Sequence, residues 1–138
     1  MGTALVVEDD DDIRMLLRVV LTRGGYSVTV VENGRSGIDA ARSLRPDLCL
    51  VDVGLPDIEG YQVVTELTGI VSGHVVMLSA HSTEEDARRG LEAGADNYLT
   101  KPFRPRMLRE QLEAIVARPP RAAADTGESG TAAESQAS

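Results

Sequence analysis

Short runs of β-branched residues alternate with longer stretches of helical period along residues 3–117. This alternation is typical of a parallel sheet whose strands are joined by helices that cover it. The strands are predicted at Thr3–Val7, Tyr26–Val31, Leu48–Val53, His74–Ser79 and Asn97–Thr100. The pattern therefore predicts one doubly wound α/β domain of five strand–helix units.

The helices are predicted from apolar residues that recur at intervals of three and four. The first is the clearest, because Ile13, Leu17 and Leu21 share one face and the Gly24-Gly25 pair follows. Three aspartates at its start, Asp10 to Asp12, are interpreted as helix-capping residues. The other helices are predicted from Gly37 to Leu44, from Tyr61 to Leu67, from Thr83 to Gly94 and from about Pro105 to the Pro119-Pro120 pair.

Composition restricts the classes of partner. The chain has 138 residues and a formal net charge of -8, which disfavours a nucleic-acid or anionic-membrane surface built on bulk charge. No apolar run approaches the roughly 20 residues of a membrane helix, and residues 1–20 lack the pattern of a signal peptide. We therefore expect a cytoplasmic protein.

The predicted domain spans residues 1–118. Residues 119–138 contain no Val, Ile, Leu, Met or aromatic residue. Such a segment cannot bury enough apolar surface to offset its ordering entropy, so it is predicted to be disordered. Its composition suits a natural C-terminus and a linker to a further domain equally well.

Cysteine and aromatic content exclude further classes of site. The single cysteine, Cys49, lies in an apolar run and is expected to be buried, which excludes a disulfide framework and a cysteine-rich metal site. Four aromatic residues are too few for platforms that stack on bases or flavins.

Polar residues fall where the predicted strands end. Glu8 and Asp9 follow the first strand, Asp52 lies at the end of the third, Ser79 ends the fourth and Lys101 follows the fifth. In an open parallel sheet, ligands bind outside the carboxyl ends of the strands. The sequence therefore predicts a polar site at this edge.

Charge repulsion indicates what such a site would bind. Two carboxylates about 5 Å apart repel by roughly 3 kcal/mol at an effective dielectric near 20, so Glu8, Asp9 and Asp52 need a cation. A hard divalent ion such as Mg²⁺ suits this oxygen donor set, and Lys101, the one lysine beside thirteen arginines, adds a further positive charge. Ser79 is either part of this site or a strand-end residue that bonds the backbone.

Together these residues resemble the receiver domain of two-component response regulators. Four blocks carry the resemblance: Leu5-Val6-Val7-Glu8-Asp9 with Ile13-Arg14, Leu50-Val51-Asp52-Val53-Gly54-Leu55-Pro56 with Gly60, Val76-Met77-Leu78-Ser79-Ala80, and Gly94-Ala95-Asp96-Asn97-Tyr98-Leu99-Thr100-Lys101-Pro102-Phe103. The resemblance implies a flavodoxin-like (βα)5 domain with strand order 2-1-3-4-5.

The resemblance also implies a phosphoacceptor and a metal site. Asp52 would accept a phosphoryl group from a histidine kinase and form an aspartyl phosphate. Asp9 and Asp52 would bind Mg²⁺, Glu8 would complete the acidic set, and the backbone carbonyl of Gly54 would be another ligand. The chain would then be a self-catalysing phosphoacceptor that also loses its phosphate by itself, and not an enzyme for an external substrate.

A switch follows from the same resemblance. Lys101 would hold a phosphoryl oxygen, aimed by a cis peptide bond to Pro102. Ser79 would accept the phosphoryl group by hydrogen bond while Tyr98 rotates from solvent to a buried position. The surface of helix four, strand five and helix five would change and control a downstream protein or an output domain outside this chain. The domain is expected to be a monomer or a phosphorylation-dependent dimer.

Three residues differ from the commoner family pattern or occupy positions that tune the lifetime of the phosphate. Glu8 is one methylene longer than the usual Asp, so metal affinity or geometry is expected to differ. Gly54 and His81 stand two positions after Asp52 and Ser79, where the family tunes the lifetime of the phosphate. An altered dephosphorylation rate is the resulting hypothesis.

The same residues disfavour four other functions. A phosphorylation-independent interaction module would have no reason to keep Asp9, Asp52, Ser79 and Lys101 together. A magnesium-dependent phosphohydrolase would use an Asp-Xaa-Asp pair, which is absent at Asp52. A flavodoxin-like flavin binder needs a phosphate loop after strand one, where the acids at 8–12 would repel phosphate. A hydrolase with a catalytic triad is disfavoured, because the Gly-Xaa-Ser-Xaa-Gly motif of the nucleophile elbow is absent from the sequence.

Overall fold

The computed structural model describes residues 2–80 and 83–121. Five parallel strands form one sheet in the order β2-β1-β3-β4-β5, as the resemblance implied. The strands are β1 Thr3–Val7, β2 Ser27–Val31, β3 Leu48–Asp52, β4 His74–Ser79 and β5 Asn97–Thr100. The helices are α1 Asp11–Arg23, α2 Gly34–Leu44, α3 Gly60–Thr68, α4 Glu84–Glu92 and α5 Pro105–Val116.

The hydrophobic core has two layers, one on each face of the sheet. Val6, Leu50 and Leu78 point into the layer shared with α1 and α5. Their chain neighbours Val7 and Val51 point into the opposite layer, beneath α2 and α3. Because β1, β3 and β4 are covered on both faces, their sequences are almost continuously apolar. Cys49 is buried in this core, as predicted.

The observed starts of α1 and α4 agree with the predictions, whereas the start of α2 does not. Asp10 Oδ1 accepts a 3.0 Å hydrogen bond from Ile13 N at the start of α1, which confirms the capping interpretation. Thr83 Oγ1 accepts from Asp86 N at 3.1 Å and begins α4. The predicted start of α2 at Gly37 is wrong, because the helix begins at Gly34, with Asn33 as its N-cap.

The chain beyond α5 is described as far as Arg121, three residues into the segment predicted as a tail. Arg121 N donates to Asp96 Oδ1 at 2.6 Å, and its guanidinium donates to Ala95 O at 2.7 Å. His74 Nε2 lies 2.6 Å from Arg118 O. The boundary at residue 118 stays a prediction, and residues 122–138 lie outside the described part. Among the described residues, no helix combines the length and apolar character needed to cross a membrane.

Gly60 allows α3 to start directly against the end of β3. A Cβ at this position would lie 2.2 Å from Asp52 O and 2.7 Å from Val53 Cα, both backbone atoms. Gly60 N also donates to Val53 O at 3.0 Å. The return of the chain after Asp52 therefore depends on a residue without a side chain.

We expect Gly60→Ala to lower the free energy of unfolding by about 1–3 kcal/mol, because the methyl group forces the backbone at Asp52 to shift. Gly69→Ala is the matched control, since the nearest atom to its Cβ would be Glu66 O at 3.6 Å. Urea denaturation followed by circular dichroism measures both. Equal effects of the two substitutions would contradict the close approach described for Gly60.

Candidate functional site

The acidic and basic residues predicted at the carboxyl edge of the sheet do come together. Asp52, the last residue of β3, is 5% exposed, and Glu8, which follows β1, is fully buried. Lys101 Nζ lies 2.9 Å from Asp52 Oδ1 and 2.8 Å from Glu8 Oε1. One ammonium group thus faces two buried carboxylates.

Strand order explains this convergence. β1 and β3 are neighbours with Val7 opposite Val51, so the next residues, Glu8 and Asp52, lie side by side. Lys101 follows β5, two strands away from β3, and its long side chain spans that distance. The Lys101 backbone N donates to Ser79 O at 2.7 Å, which fixes the point from which the side chain extends.

Glu8 is held by contacts along its backbone and side chain. Its N donates to Val31 O at 3.1 Å, and its carbonyl accepts from Arg14 Nη1 at 2.9 Å. Its Oε2 accepts from Asp10 N at 3.2 Å. Its Oε1 is buried, and the ion pair with Lys101 Nζ at 2.8 Å is the contact that the structure gives this oxygen among the described residues.

The electrostatic balance shows in two pKa shifts. Burial raises the pKa of Glu8 from 4.5 to about 7, and the charge of Asp52 acts in the same direction while Lys101 opposes it. Burial would lower the pKa of Lys101, but its contacts with Glu8 and Asp52 outweigh burial and raise it. The ammonium group therefore stays charged at neutral pH, while Glu8 can exist in either state.

The donor set fits a hard divalent cation. Carboxylate oxygens of Glu8, Asp9 and Asp52 all lie within 4.8 Å of one another. Octahedral Mg²⁺ with ligands at about 2.0–2.1 Å needs oxygens roughly 3–4 Å apart, which short side-chain rotations would provide. Asp9 is exposed, so solvent reaches the cluster, and Glu8 Oε1 is a buried oxygen whose partner is the Lys101 ammonium group.

The remaining predicted residues take separate positions around this cluster. A Cβ on Gly54 would lie 3.9 Å from Asp52 Oδ2, so Gly54 borders the carboxylate. Ser79 is 2% exposed at the end of β4, one residue beyond Leu78, the partner of Asp52. The Lys101–Pro102 peptide is cis, as the resemblance implied. His81 lies outside the described residues.

Tyr98 is already half-buried in this structure. Its ring packs against α4, where a Cβ on Gly90 would lie 2.9 Å from Tyr98 Cδ2. Its side chain also hydrogen-bonds that of Tyr61, and burial together with Tyr98 raises the pKa of Tyr61. The predicted switch residue therefore contacts both α3 and α4.

Sequence reasoning missed the residues that connect α3 to α4. Arg89 of α4 stacks on the Tyr61 ring, 4.1 Å from its centroid, and pairs with Glu59 at 3.0 Å. A tyrosine on the apolar face of a helix is a usable signal, because its buried hydroxyl needs a partner. The identity of that partner depends on the packing of elements far apart in sequence.

We expect the metal-free protein to lose stability relative to Glu8→Gln as pH rises from about 5 to about 8. Between pH 4.5 and about 7 the folded state keeps a proton on Glu8 that the unfolded chain has released, so the folded state is favoured less as pH rises. The difference should be on the order of 1–3 kcal/mol. Urea denaturation in a chelator measures it. Glu66→Gln, on the exposed side of α3, controls for lost charge, and an identical pH response in the two variants would contradict the raised pKa.

Comparisons with known proteins agree with this geometry. The chain is 36% identical over 131 residues to the transcriptional regulatory protein AfsQ1 of Streptomyces coelicolor, which covers 95% of this chain and 58% of that protein. It is 41% identical over 114 residues to the transcriptional regulatory protein CseB of Streptomyces avermitilis, which covers 83% of this chain and 48% of that protein. The chain thus spans about half the length of these curated relatives.

A solved structure shows the same likeness. The CheY-like response regulator receiver domain protein of Methanospirillum hungatei superposes with a TM-score of 0.79 at 27% identity, covering 85% of this chain and 94% of that one. The family model described as the response regulator receiver domain matches residues 4–113. The chain therefore belongs to the response regulator receiver domain family.

Proposed function

We propose that this domain is the phosphoacceptor switch of a two-component system, in which Asp52 takes a phosphoryl group from a histidine kinase. The observation that carries the proposal is the buried Asp52 carboxylate, 2.9 Å from Lys101 Nζ and grouped with Glu8 and Asp9. Phosphoryl transfer depends on positioning and charge neutralisation, and these residues supply both.

In the proposed step an oxygen of Asp52 attacks the phosphorus of the kinase phosphohistidine. An O–P bond forms while the N–P bond breaks, and the electron pair of the N–P bond stays on the histidine nitrogen. Lys101 donates to a phosphoryl oxygen as negative charge develops there. Glu8, Asp9 and Asp52, together with the backbone carbonyl of Gly54, would hold Mg²⁺, which when bound neutralises charge on the transferred group.

The domain acts on its own side chain and not on an external substrate. We propose that it also hydrolyses its own acyl phosphate, with water approaching Asp52 from the solvent side. Gly54 borders this carboxylate without a side chain, and His81 is proposed as the second residue that sets the lifetime. A Cβ on Gly54 would lie 3.9 Å from Asp52 Oδ2, and this proximity supports a role for Gly54 in setting the phosphate lifetime.

The proposed output is a change in the surface of α4, β5 and α5. Phosphorylation replaces a charge of -1 at Asp52 with one near -2 and adds acceptor oxygens for Ser79 and Lys101. If Ser79 moves toward the phosphoryl group, the chain that leads from β4 into α4 must follow. Tyr98 contacts α4 at Gly90 and would rearrange with it.

The phosphodonor in this proposal is a sensor histidine kinase, and the exchange takes place in the cytoplasm. The relatives named above are transcriptional regulators about twice the length of the matched region. We therefore propose that a further domain, or a separate downstream protein, reads the changed surface. The formal charge of -8 makes direct nucleic-acid binding by this chain unfavourable. A monomer that dimerises on phosphorylation is the expected assembly.

Incubation with a small acyl phosphate should add one phosphoryl group to the wild type when Mg²⁺ is present, as measured by intact mass. Asp52→Asn should show no adduct, and a chelator should reduce the rate by at least about 100-fold, because charge on the phosphoryl group is then not neutralised. Asp39→Asn, an exposed aspartate on α2, is the matched control and should react like the wild type. An adduct that persists in Asp52→Asn would overturn the assignment.

A further inference from the structure

We propose that Asp57 is a positioning residue for the metal site. Its carboxylate attaches the loop that contains Gly54 to the first turn of α2. This inference rests on the proposed function, in which the Gly54 carbonyl is a ligand of Mg²⁺. This loop, the acceptor loop, comprises residues 53–59 between β3 and α3.

Both oxygens of Asp57 bind backbone amides of α2. Oδ1 accepts from Gly34 N at 2.8 Å and Oδ2 accepts from Arg35 N at 2.9 Å. These amides belong to the first turn of α2, where no intrahelical carbonyl is available and a negative charge is favourable. Two bonds from one carboxylate fix the orientation of the loop as well as its distance from the helix.

The ionised state of Asp57 agrees with this role. Burial works to raise the pKa of Asp57, but the backbone hydrogen bonds from Arg35 and Gly34 outweigh it and lower the pKa. A charged carboxylate forms stronger hydrogen bonds with amides than a neutral acid does. The tie between the acceptor loop and α2 is therefore present at neutral pH.

Packing at Gly34 leaves the acceptor loop little freedom. A Cβ at Gly34 would lie 2.5 Å from Ile58 Cγ1 and 2.8 Å from Val63 Cγ2. The side chain that follows Asp57 thus sits directly on the backbone of α2. Hydrogen bonds and close packing together hold the middle of the acceptor loop.

Two further bonds hold the ends of the acceptor loop, one to the sheet and one between the first residue of the loop and the start of α3. Val53 N donates to Leu78 O at 2.9 Å, and Gly60 N donates to Val53 O at 3.0 Å. On the α2 side, Asn33 follows β2 by two residues, and Val31 O of β2 accepts from Glu8 N at 3.1 Å. Asp57 therefore connects the loop of Gly54 to the same segment that positions Glu8.

The affinity for Mg²⁺ should depend on how firmly Asp57 holds the acceptor loop. Mg²⁺ demands near-ideal octahedral geometry at about 2.0–2.1 Å, so a backbone carbonyl ligand is useful only if its loop is held in place. Groups that orient metal ligands from behind change metal affinity by about 10–100-fold when they are removed. Loss of the Asp57 tie should act in this way, although Asp57 itself does not touch the ion.

The test compares Asp57→Ala with Asn33→Ala. Both variants remove a side-chain cap from the first turn of α2, since Asn33 Oδ1 accepts from Ser36 N at 2.9 Å, but only Asp57 lies on the acceptor loop. We expect both to lower the urea midpoint by similar amounts. Titration with Mg²⁺, followed by the amide signals of residues 52–54 in ¹⁵N NMR spectra, should give a Kd about tenfold higher for Asp57→Ala and within about twofold of the wild type for Asn33→Ala.

A conservative variant separates positioning from helix stability. Asp57→Asn keeps one acceptor oxygen and should give an intermediate Kd. Equal Kd values for Asp57→Ala and Asn33→Ala, with a wild type that binds Mg²⁺, would overturn this inference alone. A wild type whose spectra do not respond to Mg²⁺ would overturn the metal site of the proposed function, and this inference with it.

Discussion

A single ammonium group that faces two buried carboxylates determines how the rest of this domain is built. Removing one partner from a buried ion pair costs about 3–5 kcal/mol, because the other charge is left uncompensated. Lys101 is shared between Glu8 and Asp52, so the negative charges exceed the positive one by one. Burial, together with the charge of Asp52, raises the pKa of Glu8. The site is therefore unfavourable as it stands, and a cation or a proton relieves it. This unrelieved charge supports the proposal that the site binds a divalent cation and accepts a phosphoryl group.

The buried sheet stabilises the fold enough to hold this electrostatically unfavourable site in place. β1, β3 and β4 are buried on both faces, so the backbone from which Glu8, Asp52 and Ser79 extend is fixed by ladder hydrogen bonds and by two apolar layers. Only the last residue of each strand, or the first beyond it, reaches the polar edge. The strand order places β1 beside β3, which makes the contact between Glu8 and Asp52 unavoidable. Fold and site chemistry are thus linked through strand order more than through loop conformation.

Local patterns in the sequence were enough to predict β1, β4 and β5 with their observed bounds, and strand ends were enough to predict the polar edge. The predicted start of α2 was wrong by three residues, although its N-cap, Asn33, is a local signal. The further cap contacts from Asp57, more than twenty residues away, could not be predicted from local patterns. The same limit applies to the contact of Tyr61 with Tyr98 and Arg89. Periodicity and capping signals report interactions within a segment. Interactions between segments that are not neighbouring strands need the packed structure.

The helices differ in how firmly they are anchored, and this difference supports α4 as the helix that moves in the proposed switch. α3 buries five residues and α5 buries three, whereas α4 buries Gly90 alone. Besides the packing of Tyr98 and the stacking of Arg89 on Tyr61, α4 is held by an exposed ion pair between Arg89 and Glu59 at the end of the acceptor loop. Exposed ion pairs contribute only about 0–1 kcal/mol. The acceptor loop, in contrast, is tied at both ends and in its middle. In the proposed switch, a change of a few kcal/mol at Asp52 would therefore shift α4 before it displaced the acceptor loop. The proposed phosphorylation site is thus firmly held, whereas the proposed output surface at α4 is held by few buried contacts.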